Sequence, residues 1–329
     1  MPDRPVFQAT DPRDHLYGLL GITSDADQLN FKVNYRESTT VQGLLIKTTH
    51  RLLRLGGADM LSFCSAPKRM NTLPTWVPDL TAPFDAPLAF QDNRMYIACG
   101  NTDLRVRPLI LQPGGPAQIC LRGTMVDSIA HLGTFRPCDP AHPDPDSILP
   151  IITEVTELCT RSDRINHDIY LTSKQRQEAH WRVPSADQIL RSQRAGSGPT
   201  GEFLKQAYDA TVKFGSVKDW TYDDWVRNGR PSREAINQNL GMVARYITML
   251  STTSVIRRQF LSCKGYVGLV HRLCKPGDII CIFFGAHMPY IVRPREDDKF
   301  ELIGEAYVHG IMDGEFLQRE YVERDFVVV

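Results

Sequence analysis

Asp278-Ile279-Ile280-Cys281-Ile282-Phe283-Phe284 decides how the rest of this chain reads. After Asp278 every position is apolar, so neither face of a strand built from this run can meet water. Such a strand belongs in the middle of a sheet covered on both sides. Pro276-Gly277, just upstream, places proline and glycine where a type II turn needs them. Strand-prone segments flank the run at 254–261 and 266–269 on one side and at 290–293 and 301–308 on the other. Ile236, Leu240, Val243, Ile247 and Leu250 mark an amphipathic helix over about 232–250 ahead of them.

Further upstream the pattern changes twice. Asp11 is placed to cap a first helix with Pro12 at its opening position, Leu16, Leu19 and Leu20 on its apolar face, and Gly21 as the stop. Val41, Leu44, Leu45, Thr48, Leu52 and Leu55 predict a second helix over 38–55. Prolines 74, 78, 83 and 87 then exclude a long helix, and strands are expected at 94–99, 104–111 and 117–129. Residues 137–145 read as a Pro- and Asp-rich loop, and 146–231 as interrupted helix. Ser185-Ala186-Asp187-Gln188 has capping-box spacing for a short helix, and 193–201, rich in Gly and Ser, reads as a flexible joint. The expected fold class is α+β: a curved antiparallel sheet or β-barrel with packed helices and a helical insert. Its parts are an N-terminal helical segment (1–72), a first group of strands (73–130), a variable, mostly helical insert (131–231), and a helix plus C-terminal strands that complete the sheet or barrel (232–329).

Lys plus Arg number 38 and Asp plus Glu 38, so no overall field draws in polyanions and a dedicated nucleic-acid partner is not expected. The first 30 residues hold Asp3, Arg4, Asp11, Arg13, Asp14, Asp25 and Asp27, which leaves no apolar stretch for a secretory signal. The longest apolar run, Ile279 to Phe284, is far too short for a membrane span. A cytoplasmic location follows as the expectation. Eight cysteines without any Cys-x-x-Cys pair read as buried thiols in an intracellular chain.

Candidate chemistry is sparse. Glu305, His309 and Asp313 recur four apart and would form an acid–base cluster on a helix, but 301–308 reads as a strand and Gly310 and Gly314 as turns. Glu305 and His309 therefore stand as weak catalytic candidates beside a plainer reading as turn-shaping, hydrogen-bonding residues. His271-x-x-Cys274, with Cys263, Cys281 and His287 near in sequence, lacks the paired spacing of a zinc site. Lys264-Gly265-Tyr266-Val267-Gly268 fits a hairpin turn better than a phosphate loop. Trp220, Tyr222 and Trp225 form a dense aromatic group that would anchor an interface, against the plainer reading of core packing. No cofactor and no metal are expected.

Several blocks occur in order: Asp11 to Gly21, Leu73-Pro74-Thr75-Trp76-Val77-Pro78-Asp79, Arg258 to Gly268, Pro276 to Asp278, Gly285 to Arg293, and Gly304-Glu305-Ala306-Tyr307-Val308-His309-Gly310-Ile311-Met312-Asp313-Gly314-Glu315. Together they resemble the downstream, C-terminal region of fungal heterokaryon-incompatibility (HET) proteins. The aromatic-x-Ala-Leu-Ser-Tyr-x-Trp-Gly opening of that family's N-terminal signature domain does not occur here. The resemblance implies a non-enzymatic intracellular protein that works by recognising a protein partner in allorecognition, vegetative incompatibility with its programmed cell death, or a stress response. Two other readings stay open. One is an accessory enzyme or ligand-binding barrel in a fungal metabolic pathway. The other is a truncated paralogue without independent function.

Overall fold

The computed structural model describes residues 9–20, 33–64, 68–82, 87–88, 95–103, 106, 117–143, 145–190, 193–217 and 233–329. Its helices are α1 (Asp14–Leu20), α2 (Val41–Arg54), α3 (Pro145–Ile165), α4 (Ser173–Arg182), α5 (Pro199–Val217) and α6 (Arg233–Ser254). Its strands are β1 (Ile119–Leu132), β2 (Gln188–Leu190), β3 (Gln193–Arg194), β4 (Arg257–Ser262), β5 (Val267–His271), β6 (Ile279–Phe283), β7 (Tyr290–Pro294), β8 (Lys299–Val308) and β9 (Glu323–Val328).

Seven strands form one sheet in the order β4-β5-β8-β7-β6-β1-β9, and two further pairings, β4 with β1 and β8 with β9, bend it into a ring. β1 is the spine. Its first half pairs with β9, its middle with β6 and its last residues with β4. Register shifts between Met125 and Asp127 and between Ile129 and His131 let this one strand turn from neighbour to neighbour. Such irregularities concentrate twist and bend where a sheet must close. All pairings are antiparallel except β8 with β9.

Strand β6 shows why the apolar run settles the architecture. Ile279, Cys281 and Phe283 pack into one core, and Ile280 and Ile282 into another, as a period of two requires. The second core also holds Val126, Ile129, Phe260, Val270, Ile291, Ile303 and Val308, so strand side chains fill the ring. The first core lies outside it. There Trp76, Val77, Leu53, Leu61 and Tyr96 of the N-terminal part meet Val155 and Leu158 of α3 and Ala179 of α4. Asp278, just before β6, is buried. Its carboxylate takes two hydrogen bonds from Arg293, at 2.8 and 2.9 Å, and closes the preceding turn, in which Gly277 sits at φ +89°.

The Leu73–Asp79 block is pinned from two sides. Lys68 donates its ammonium protons to the carbonyls of Pro74, Thr75 and Val77. Thr75 N–H reaches the Val329 carbonyl at 2.9 Å, while Trp76 Nε1 donates to Ala117 at 3.1 Å. The block thus joins the helical N-terminal segment to β1 and β9.

Five expectations need correction or fall outside the described residues. Residues 95–97 carry no ladder. Ile97 and Ala98 donate instead to loop carbonyls of Met312 and His287, because the segment docks on the end of the ring rather than on its edge. Of 104–111 only Val106 is described, bridging to Leu121. No short helix follows Pro184. Ala186 and Asp187 take left-handed conformations, at φ +53° and +58°, and lead into β2. Residues 193–198 are tied down rather than loose, since half-buried Arg194 is held by acidic partners and the Gly196 carbonyl accepts from Arg182. The first helix begins at Asp14, because the Asp11 carboxylate is taken by the backbone and guanidinium of Arg13. Strand β9, with its alternating buried positions, was not anticipated, and neither was the small β2–β3 pair.

Candidate functional site

A cleft of about 360 Å³ opens where three parts of the chain meet: α4, the β2–β3 region and the loop after β8. Thr172 caps α4 by accepting from Gln175 N at 3.0 Å, and the helix then presents Gln175, Glu178 and Arg182 along one side. Across the cleft, β8 ends in Tyr307-Val308 and the chain turns at His309-Gly310. Gly310 sits at φ +88°, and a Cβ there would lie 2.7 Å from the Tyr170 ring, so the turn admits only glycine.

Charge runs through this junction as a relay. Glu178 accepts from Arg182 Nε at 2.9 Å, and Arg182 in turn grips Asp187 and the Gly196 carbonyl. Asp187, fully buried, also accepts from Arg194 Nε at 2.6 Å. Arg194 then closes a two-pronged pair with Asp313, one contact being 2.8 Å. Aromatic faces back both guanidinium groups: Arg182 lies 4.2 Å from the Trp181 ring and Arg194 5.2 Å from Tyr96. Burial opposes the charge on Arg194, but its bonds to Asp313 and Asp187 outweigh that, and its pKa is raised overall.

His309 sits at the floor. The Gln175 carbonyl can only accept, so His309 Nε2 donates to it at 2.7 Å, and Nδ1 is left to accept from the Tyr307 hydroxyl at 3.3 Å. Burial, reinforced by Arg182 and Arg194, pulls His309 down to about 4 despite the Gln175 carbonyl, and burial pushes Tyr307 well up. Both groups are neutral near pH 7, a poor setting for proton transfer.

His271, on β5, is likewise pulled down to about 4 by burial and then by Arg257 and Arg272. A prediction follows. The unfolded imidazoles bind protons below about pH 6.5 and the folded ones only below about 4, so acidification through that window favours unfolding. Stability should fall by up to about 3 kcal/mol per histidine between pH 6.5 and 4. Urea titrations at stepped pH should show this slope, and His309→Gln, which keeps one donor and one acceptor, should make it shallower. A slope unaffected by that change would place the acid sensitivity elsewhere.

Glu305 does not join His309. It points into a separate buried cluster, where one carboxylate oxygen accepts from Leu88 N–H and from Arg257 Nη2 at 2.7 Å, and the other has no hydrogen-bond partner among the described residues. Asp313 does reach the cleft, as the outer end of the relay. Trp220, Tyr222 and Trp225 lie outside the described residues. Cys274 and Cys281 are buried, Cys263 is exposed, and His287 pairs with Asp59. Among the described residues no three His, Cys, Asp or Glu side chains gather as a metal-binding group, and no helix is long and apolar enough to cross a membrane. Sequence reasoning missed Arg182, Asp187 and Arg194 as a unit. The one local hint is Arg182 set between Trp181 and Val183, a charge in an apolar frame.

The closed ring with its helical coat defines the class. Residues 116–329 match the family described as the Het-6 beta-barrel domain, and the chain belongs to that family, in the heterokaryon-incompatibility class. Among its relatives is heterokaryon incompatibility protein 6, OR allele, of Neurospora crassa. It is 28% identical over 359 residues, covering 97% of this chain and 51% of that protein. The chain therefore spans about half the length of that relative. No solved structure matches.

Proposed function

We propose that this chain is a cytoplasmic contact scaffold of the heterokaryon-incompatibility class, which recognises a protein partner in allorecognition or a related stress response and performs no bond-making step. One observation carries the reading: the ring is packed solid. Val126, Ile129, Phe260, Val270, Ile280, Ile282, Ile291, Ile303 and Val308 occupy its interior, as in small barrels whose side chains fill the lumen. A ligand-binding alternative would have to use the cleft at Tyr307 and His309, which Glu305 does not enter and where both groups are bonded internally. Family membership supplies the biological setting. The neutral, internally bonded His309 and Tyr307 are consistent with a positioning role.

The test is genetic. A compatible fungal recipient expressing the chain is scored for heterokaryon formation and viability beside one expressing His309→Gln. A contact scaffold keeps full incompatibility activity in that variant. Loss of activity, with protein level and melting temperature unchanged, would show that the imidazole does chemistry and would sink the reading.

A further inference from the structure

We infer that residues 184–190 and 193–198 form a strained strap over the ring, latched at its solvent end by the Arg194–Asp313 ion pair. Three observations point to it. The first is strain. Ala186 and Asp187 are consecutive, fully buried and left-handed, at φ +53° and +58°. Aspartate tolerates that region through its short polar side chain, but alanine gains nothing there and its Cβ crowds the following carbonyl. Such a pair persists only where surrounding contacts impose it.

The second is the set of contacts that imposes it. The Asp187 N–H bonds the Arg182 carbonyl at 2.7 Å, and the Ala195 N–H bonds the Asp187 carbonyl at 2.7 Å. The Ala186 carbonyl accepts from the Tyr96 hydroxyl, and Gln188 Nε2 donates to the Leu88 carbonyl at 2.9 Å. These ties run within the strap, to the end of α4 and to the segment around Leu88 and Tyr96, and at the strap's start the Pro184 carbonyl accepts from Thr253 of α6 at 2.9 Å. The tie to the ring's own loop is Arg194 on Asp313.

The third is the gradient of exposure along the relay. Side-chain exposure is 19% at Glu178, 9% at Arg182, 0% at Asp187 and 20% at Arg194, but 52% at Asp313. Water and salt therefore reach the relay at Asp313 first. An ion pair open to solvent is weak and screened, whereas the buried ones behind it are not. When Arg194 loses Asp313, two of its three nitrogens lose their acidic partner, and the strain at Ala186 favours release. Opening uncovers Tyr96 and Tyr307, whose rings pack 6.1 Å apart beneath the strap. A partner's docking there rests on the contact-scaffold reading; the latch itself does not.

Hydrogen exchange on the whole chain tests the latch. Asp313→Asn should speed exchange of the Asp187 and Ala195 amides about tenfold and leave the amides of β6 unchanged. Raising NaCl from 0.05 to 0.5 M should act in the same direction on the parent protein. Ala186→Gly, which removes the Cβ penalty, should slow exchange of the same two amides about threefold, which checks the strain separately from the latch. Unaltered exchange in Asp313→Asn, equal acceleration in β6, or faster exchange in Ala186→Gly would each overturn the inference.

Discussion

Asp187→Ala is expected to destabilise the protein by about 3–5 kcal/mol, the range seen when one member of a buried charge pair is removed. The reason is what stays behind. Arg182 and Arg194 both direct guanidinium nitrogens at this fully buried carboxylate; Arg182 cannot retreat to water without pulling α4 away from the core, and Arg194 is left with Asp313 as its acidic partner. Glu178 and Asp313 hold the far sides of the two arginines but cannot reach the centre. Equilibrium urea unfolding should show a lower midpoint with an unchanged slope. Asp187→Asn keeps the shape and one acceptor, so it should recover only part of the loss. A change below about 1 kcal/mol for the alanine variant would mean that the guanidinium groups find other partners and that the relay is not what joins insert to ring.

Gly268→Ala should be at least as damaging, at about 3 kcal/mol or more, for a reason of volume rather than charge. Gly268 lies in β5 between Phe260 of β4 and Val308 of β8. A Cβ there would sit 2.0 Å from the Tyr307 carbonyl oxygen and 2.7 Å from the Phe260 ring. The nearest obstacle is backbone in the adjacent strand, so no rotamer change relieves it, and the β5–β8 ladder must part. Gly241→Ala supplies a control of opposite sign. That glycine lies inside α6 with no heavy atom within 4 Å of an added Cβ. Alanine there should stabilise by up to about 1 kcal/mol through helix propensity alone. Thermal melts of the two variants side by side check both claims. Equal behaviour at the two sites would show that the β4–β5–β8 approach is looser than the geometry says.

Much of the ring was legible because its strands announce themselves locally. An apolar run bracketed by a Pro-Gly turn reads as a covered central strand whatever surrounds it, and β6 is one. The helix over 232–250 was legible for the same kind of reason, its apolar positions recurring at helical spacing, and α6 spans Arg233–Ser254. The junction was not legible in this way. Ser185-Ala186-Asp187-Gln188 satisfies a helix-capping pattern, and nothing nearby in sequence reveals that two arginines, five positions before Asp187 and seven after it, will converge on that aspartate. Arg194 and Asp313 lie 119 residues apart. Likewise Glu305 and His309, four apart along the chain, were grouped by spacing. In the structure the first serves a buried arginine on β4 and the second a carbonyl on α4.

Composition, periodicity and turn residues thus determined by themselves that this protein is α+β with a curved sheet, and its ordered blocks placed it among the HET proteins. Only the tertiary structure decided that the sheet closes on a filled interior, and that the insert is tied to it through a chain of alternating charges, buried at Asp187 and open to solvent at Asp313. The division has a physical cause. Hydrogen-bonded strands and helices are selected by side chains a few residues apart, whereas burying a charge is tolerable only when opposite charges arrive from distant segments. That arrival is a property of the folded chain.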